Sequence, residues 1–396
     1  MDTSIQYQNV SSKKVLIKAD AILLGLYFFL TPFDQMLNFG NGTVLKFIGI
    51  IFIVVSLFKI LILRTSIKFF DPIIYGPILL IIISYSSILW SINIEATLRM
   101  NYSYLVLQIM FLAVYIRNYN YKEQNYIKQA ILYGGVAISF YVIVLNPDLL
   151  YSGDRLVLNK ESDPNHFAAT LILPLLVSFG EMMQSKKIWL IFLFGSLLIL
   201  LLFTGSRGGM LSAVIAISYF FFKNRKLKNI YILIIIIGLL IGIIDFVLTD
   251  FIIERLWTER GVFNDNSSVN SRSFIWALIF LEIIPQMPLL GFGSGSPQFA
   301  LGAYFGQDYA THNAYLTMIL EYGILGISIF ILFLSSIFRR LKQELDYTKI
   351  TLFIAFIIII LFLDSFHTKW FWNTLMFCVI SYKSFPKIRR IKNNVI

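Results

Sequence analysis

From residue 19 to residue 384 the chain is a succession of apolar runs, most close to the roughly 20 residues an α-helix needs to cross a bilayer. They fall at 19–38, 44–63, 72–92, 98–117, 127–146, 164–183, 187–204, 207–222, 229–248, 313–338, 348–366 and 370–384. The eighth and twelfth are short, and the pair flanking Gly205 can also be read as one long kinked span. Hydrophobic residues make up 58% of the chain and charged residues only 14%, against about a quarter in soluble domains. A water-soluble fold cannot hide that much apolar surface, whereas lipid is a solvent for it. The expected fold is all-α and integral to the membrane: one polytopic domain over 1–396 with about twelve transmembrane helices.

Loop charges test this reading separately. With the N-terminus inside and loops assigned alternately, the inner segments hold 24 of the 33 basic residues, from Lys13, Lys14 and Lys18 to Lys383, Lys387, Arg389, Arg390 and Lys392. One missed helix would scramble the alternation, so its persistence predicts an even number of spans and both termini in the cytoplasm. The same rule accounts for the net charge of +11 without nucleic acid, for which no compact basic domain exists. Lys13, Lys14 and Lys18 precede an apolar run with no small-residue cleavage site, which reads as an uncleaved first helix. The single cysteine, Cys378, cannot form an internal disulfide.

This topology puts His166, His312 and His367 outside. It also puts there the one long loop, 249–312, and loops of that length are often functional. Within it, Asn270 and Ser271 can cap a helix from Arg272 to Ile284 that Pro285 stops. That helix is apolar but too short to span, so an interfacial or re-entrant segment is expected. The glycine-rich turn Gly291–Ser296 follows; with no preceding strand it is not a dinucleotide fingerprint.

Arg207 lies in Thr204-Gly205-Ser206-Arg207-Gly208-Gly209 between two apolar runs. An arginine this close to hydrocarbon costs about 2.5 kcal/mol or more unless it snorkels or finds a partner. The flanking glycines would let backbone approach a ligand, and Ser206 and the helix start would add to an anion site. A topogenic arginine is the plainer alternative. Arg272 opens a helix, where a cation is mildly disfavoured, so an anionic ligand or carboxylate is expected beside it. His312, in Thr311-His312-Asn313, suits proton exchange near neutral pH; the alternative is an interfacial cap. His166, after Asp163-Pro164-Asn165, reads more as a cap. The three histidines sit on separate elements without zinc-type spacing, so no metal is expected. Glu161 and Asp163 would suit magnesium, but Arg155 and Lys160 are close enough to neutralise them. Glu321 falls inside a span, where a carboxylate is costly and often functional; it is expected to support the site.

Taken together these residues resemble the O-antigen ligase and O-antigen polymerase superfamily of bacterial envelope enzymes. The resemblance runs through Ser206-Arg207-Gly208-Gly209, then Arg272 with Trp276 and Pro285 ahead of Leu289-Leu290-Gly291-Phe292-Gly293. It continues through His312-Asn313-Ala314-Tyr315-Leu316, Glu321-Tyr322-Gly323 and Gly326, with Arg155 and Asp163-Pro164-Asn165 upstream. It covers about residues 150–335. It implies a fold akin to C-type glycosyltransferases in the bacterial cytoplasmic membrane, with the active site outside. It also implies transfer of a glycan from a polyprenyl diphosphate, undecaprenyl in the family, to an acceptor hydroxyl, without cofactor or metal. Arg207 and Arg272 would hold the diphosphate and His312 would act as base or orient the acceptor. Arg155, Ser206, Asn313, Glu321 and His166 would support them. Trp257 and Tyr304 are candidates for stacking on sugar.

The acceptor stays open. A ligase joins the glycan to a terminal acceptor such as lipid A core, and a polymerase joins one lipid-linked repeat to another; the moderate outer loop leans toward the polymerase. The rival from another class is a transporter or flippase of lipid-linked sugars, which would need charged residues along a path through the bilayer.

Overall fold

The computed structural model describes residues 18–39, 42–62, 71–151, 155–159, 162–224, 272–305 and 310–380. The expected span 229–248, the first part of the long loop with Trp257, and Lys160 and Glu161 lie outside them, as does the side chain of Tyr304.

The described residues are almost entirely helical. In chain order the helices are α1 (Ala19–Leu30), α2 (Val44–Ile62), α3 (Pro72–Ser86), α4 (Ile94–Ile116), α5 (Tyr121–Phe140), α6 (Pro164–Ser185), α7 (Ile188–Phe203) and α8 (Arg207–Asn224). They continue with α9 (Arg272–Leu278), α10 (Pro297–Phe305), α11 (Ala314–Glu344), α12 (Tyr347–Ile359) and α13 (Lys369–Val379). A two-residue antiparallel ribbon pairing Asn38 with Thr43 joins α1 to α2.

Every expected run apart from 229–248 coincides with a helix. Five helical stretches are long and apolar enough to cross a membrane: Val44–Ile62, Pro72–Leu89, Tyr121–Leu145, Pro164–Ser185 and Ala314–Glu344. Several others are shorter than their apolar runs, so length and composition do not by themselves reach twelve crossings. The run 348–366 shows why. Its helix stops at Ile359, and the Ile360 carbonyl turns away to accept the Ala314 N–H at 2.9 Å.

Asn or Asp opens six of these helices, because their short side chains accept the first orphan N–H groups. Asp71 accepts from Ile73, Asn93 from Ala96, and Asp163 from Asn165. Asn313 accepts from both Tyr315 and Leu316. Pro72 and Pro164 sit in first turns, where no N–H is needed. Asn120 and Glu123 form a reciprocal capping box on α5.

Helix α1 packs on α5 and α2, α6 on α7, α11 on α3, and α12 on both α8 and α6. Where α4, α11 and α13 meet, Phe111, Phe333, Phe366 and Trp372 interlock edge to face. At one end of the bundle the fully buried Asp20 carboxylate joins Lys59 at 2.5 Å and Arg117 at 2.6 Å, and Arg117 also reaches Glu123. Breaking such a buried network is costly. The opposite end gathers the helix starts and loops that carry the candidate residues.

Candidate active site

The site is assembled at the junction of the α7–α8 turn, the start of α6, the start of α11 and the link from α12 to α13. Gly205 makes the α7–α8 turn with φ +59°, a left-handed conformation that glycine adopts without strain. The Arg155 guanidinium lies against this turn. Its Nε donates to the Thr204 carbonyl at 2.8 Å and its Nη2 to Asn165 Oδ1 at 2.8 Å. Asn165 in turn donates from Nδ2 to Asp163. Arg155 therefore bolts the turn before α8 to the start of α6, which suits a supporting residue.

Two expectations around Arg207 are corrected. The Ser206 hydroxyl is buried and accepts the Gly209 N–H at 3.3 Å, so it caps α8 rather than pointing toward a ligand. The adjacent glycines serve protein packing. A Cβ at position 208 would stand 2.8 Å from Phe362 Cβ, and one at 209 would stand 3.1 Å from Ala168 Cβ. Arg207 itself is exposed at the first position of α8.

The contact of Gly208 with Phe362 brings the α8 start against the segment after α12. The same segment, through Ile360, holds the first N–H of α11. Arg207 and His312 are thus on one end of the bundle. His312 has φ +51°, uncommon outside glycine, and is half-buried. It is not the cap of α11, because Asn313 fills that role.

Arg272 reaches the same place through α9. Ile275, Ile279 and Ile283 of this helix and its continuation pack on Leu316 and Leu320 of α11. The Trp276 indole donates to the Thr311 carbonyl at 3.0 Å. The helix runs through Ile279–Ile283 and closes in a tight turn, Ile284–Gln286, that contains Pro285. The Arg272 guanidinium is close enough to act on His312. Burial, and then this positive charge, hold the His312 pKa below its usual value, while Asp163 and Asp364 oppose them. A lowered pKa keeps an imidazole neutral to lower pH, and the neutral form is the one that can accept a proton.

His166 is corrected as well. Asp163 is the cap of α6, and His166 faces inward, where its Nδ1 accepts the Trp370 indole N–H. Asp163, His367, Asp364 and His312 all lie near enough to influence its charge. Histidines from three separate elements therefore converge.

Asp364 is the residue that sequence reasoning underused. One of its carboxylate oxygens is buried without a hydrogen-bond partner among the described residues, and it acts on both His166 and His312. The signal was an acid at the edge of an apolar run, in Leu363-Asp364-Ser365.

Glu321 lies deeper. Its carboxylate accepts the Tyr104 hydroxyl at 3.0 Å and the Gly295 N–H at 2.7 Å. Around it α11 is broken at Gly323, with φ 62° and ψ −160°. The glycine-rich turn fills the break. Phe292 donates to the Leu320 carbonyl at 2.7 Å, Gly293 to the Glu321 carbonyl at 3.0 Å, and Ile324 to the Pro288 carbonyl at 2.9 Å. Glu321 thus fastens the long loop to α11 and α4 through hydroxyl and backbone partners.

The chain is a multi-pass membrane protein whose candidate residues meet at one end of a helical bundle. Comparison with curated proteins finds no match. Residues 191–331, the stretch that holds Arg207, Arg272 and His312, match the family model described as O-antigen ligase.

Proposed function

We propose that this protein transfers a glycan from a polyprenyl diphosphate carrier to an acceptor hydroxyl on the extracytoplasmic face of the bacterial cytoplasmic membrane. The proposal is carried by the convergence of His312, Arg272, Asp163 and Asp364, near enough for their charges to act on the imidazole, on the end of the bundle where Arg207 opens α8.

In this reading the acceptor oxygen attacks the anomeric carbon of the donor sugar and gives its proton to His312. The bond from that carbon to the diphosphate breaks, and the diphosphate leaves with the electron pair. Arg207 and Arg272 stabilise the negative charge that develops, as fixed donors aimed at a leaving group do. Two guanidiniums supply the charge that a divalent cation supplies elsewhere, so the reaction is proposed to need no metal. Asp364 and Asp163 favour the imidazolium formed on proton transfer. Arg155, Asn313 and Glu321 hold the elements in place.

A transporter needs a polar route to the far end of the bundle. There Asp20, Lys59, Arg117 and Glu123 are locked to one another, which favours the transferase.

The deciding experiment incubates purified protein with a lipid-linked repeat unit and resolves products by length. A ladder identifies a polymerase, and a single shift of an added acceptor identifies a ligase. Unchanged donor under conditions where the protein is folded would overturn the proposal.

A further inference from the structure

One buried side chain contacts both of the elements that bring opposite charges to His312. Tyr104, on α4, is only 2% exposed. Its hydroxyl donates to the two carboxylate oxygens of Glu321, at 3.0 and 3.1 Å. Glu321 is likewise buried and accepts the Gly295 N–H at 2.7 Å, so this bond ties α4 to the turn that follows the Arg272 arm. Leu320, the residue before Glu321, packs with Ile275, Ile279 and Ile283 of the arm itself.

The ring of the same tyrosine contacts the link from α12 to α13. It meets Phe366 edge to face, with centroids 4.8 Å apart. Phe366 belongs to Asp364-Ser365-Phe366-His367, so it is the apolar anchor of the segment that carries the Asp364 carboxylate. Phe371 and Trp372 pack on Phe366 as well, and its carbonyl accepts the Trp372 indole N–H at 2.8 Å. The charge of Asp364 is near enough to act on Tyr104 and on Glu321. The link therefore cannot shift at Phe366 without disturbing Tyr104.

The charged groups near His312 sit on separate pieces of chain. Arg272 on the arm lowers its pKa, whereas Asp163 at the start of α6 and Asp364 on the link raise it; His166 on α6 is within reach of the same charge. A base tuned by opposing charges depends on their distances, because Coulomb energies fall with separation. We infer that Tyr104 is a positioning residue, whose hydroxyl holds the Arg272 arm and whose ring holds the Asp364 link at set distances from His312. Buried on α4, it acts through these partners. The inference rests on the transferase reading, in which His312 is the base, and deepens it by naming what keeps that base in tune.

The test reads protonation rather than turnover. Diethyl pyrocarbonate modifies neutral imidazole, so the rate of His312 labelling against pH, followed by mass spectrometry on the purified full chain, reports its pKa. Tyr104→Phe keeps the ring on Phe366 and loses the bond to Glu321. The arm loosens, and the midpoint is expected to rise by about half a pH unit, or about threefold in labelling rate on the acid side. Phe366→Leu loosens the link instead, and the midpoint is expected to fall by a similar amount. Plain loss of packing would hydrate the imidazole in both variants and move both midpoints up, so opposite directions separate positioning from a structural role. An unmoved midpoint in Tyr104→Phe, or shifts of the same sign in the two variants, would overturn the inference. Glu321→Gln weakens the same bond from its other end, and Glu321 is not among the charges acting on His312. It stands in should Tyr104→Phe fail to fold, and Phe366→Met stands in for Phe366→Leu. Labelling needs neither donor nor acceptor, so a wild type without transfer activity would sink the proposed function and leave the positioning result to be read separately.

Discussion

The indole N–H of Trp370 donates to Nδ1 of His166 across 3.2 Å. A nitrogen that accepts carries no proton, so the neutral imidazole holds its proton on Nε2 and offers it as a donor. His166 is therefore set to orient a substrate oxygen rather than to deprotonate it. Gln keeps an N–H donor at similar reach and Leu does not. His166→Gln is expected to retain about three- to tenfold more transfer activity than His166→Leu, the scale of one neutral hydrogen bond. Initial rates on lipid-linked donor check this; equal rates for the two variants would remove the donor role.

His312 isolates the proton transfer. Asn tolerates the left-handed backbone found there but is no base. His312→Asn is expected to slow transfer by about 10²- to 10⁴-fold, the usual contribution of a general base, with an unchanged amount of folded protein in the membrane. Retained polymer on gels would exclude it.

The pH profile follows from the same geometry. A base works when neutral, so the lowered pKa of His312 extends activity to lower pH than an ordinary histidine allows. Arg272 contributes to that lowering, and its removal raises the pKa. In the residual activity of Arg272→Gln the acid limb should move to higher pH. Asp364 opposes the lowering, so in Asp364→Asn the limb should move to lower pH. Shifts of both variants in the same direction would contradict the arrangement.

Arg207→Lys keeps the charge but loses the planar fork that meets two phosphate oxygens at once. Most of the activity should disappear, by about 10²-fold or more if the arginine acts on the leaving group. Near-normal turnover would leave Arg207 as a topological anchor.

Gly323→Ala tests the break in α11. The backbone there is in a region that only glycine occupies readily, a strain of about 1–3 kcal/mol for other residues. The new Cβ would also stand 2.3 Å from the Leu289 carbonyl. A lower Tm in detergent and poor recovery of folded protein are expected. A neighbouring Gly326→Ala would not serve as a control, since its Cβ meets Tyr322 Cβ at 2.1 Å.

Much of the architecture could be read from residue order. Apolar runs located the helices because lipid demands continuous stretches, and Pro285 marked a stop by local chemistry, whereas the caps fell to Asp163 and Asn313 rather than to the histidines near them. Arg207, Arg272 and His312 stood out because charged or titratable groups are costly at membrane edges. What resisted reading depends on partners distant in sequence. Nothing local tells that Trp370 bonds His166, 204 positions away, or that Gly208 is small to admit Phe362. The role of Ser206 was misjudged for the opposite reason, since capping its own helix is a nearer use of a hydroxyl than binding a ligand. Asp364, at the edge of the run 348–366, gave no sign of its partners until the folded chain set it near two imidazoles.

The splice between Gly291–Ser296 and the interrupted α11 carries a mechanical consequence. Carbonyls that an unbroken helix would satisfy internally are claimed by another stretch of chain, and Glu321 rivets that stretch to Tyr104 besides. The arm bearing Arg272 and the turn bearing His312 are thereby welded into one rigid piece. Whatever gives way to admit a bulky saccharide must then lie outside that piece.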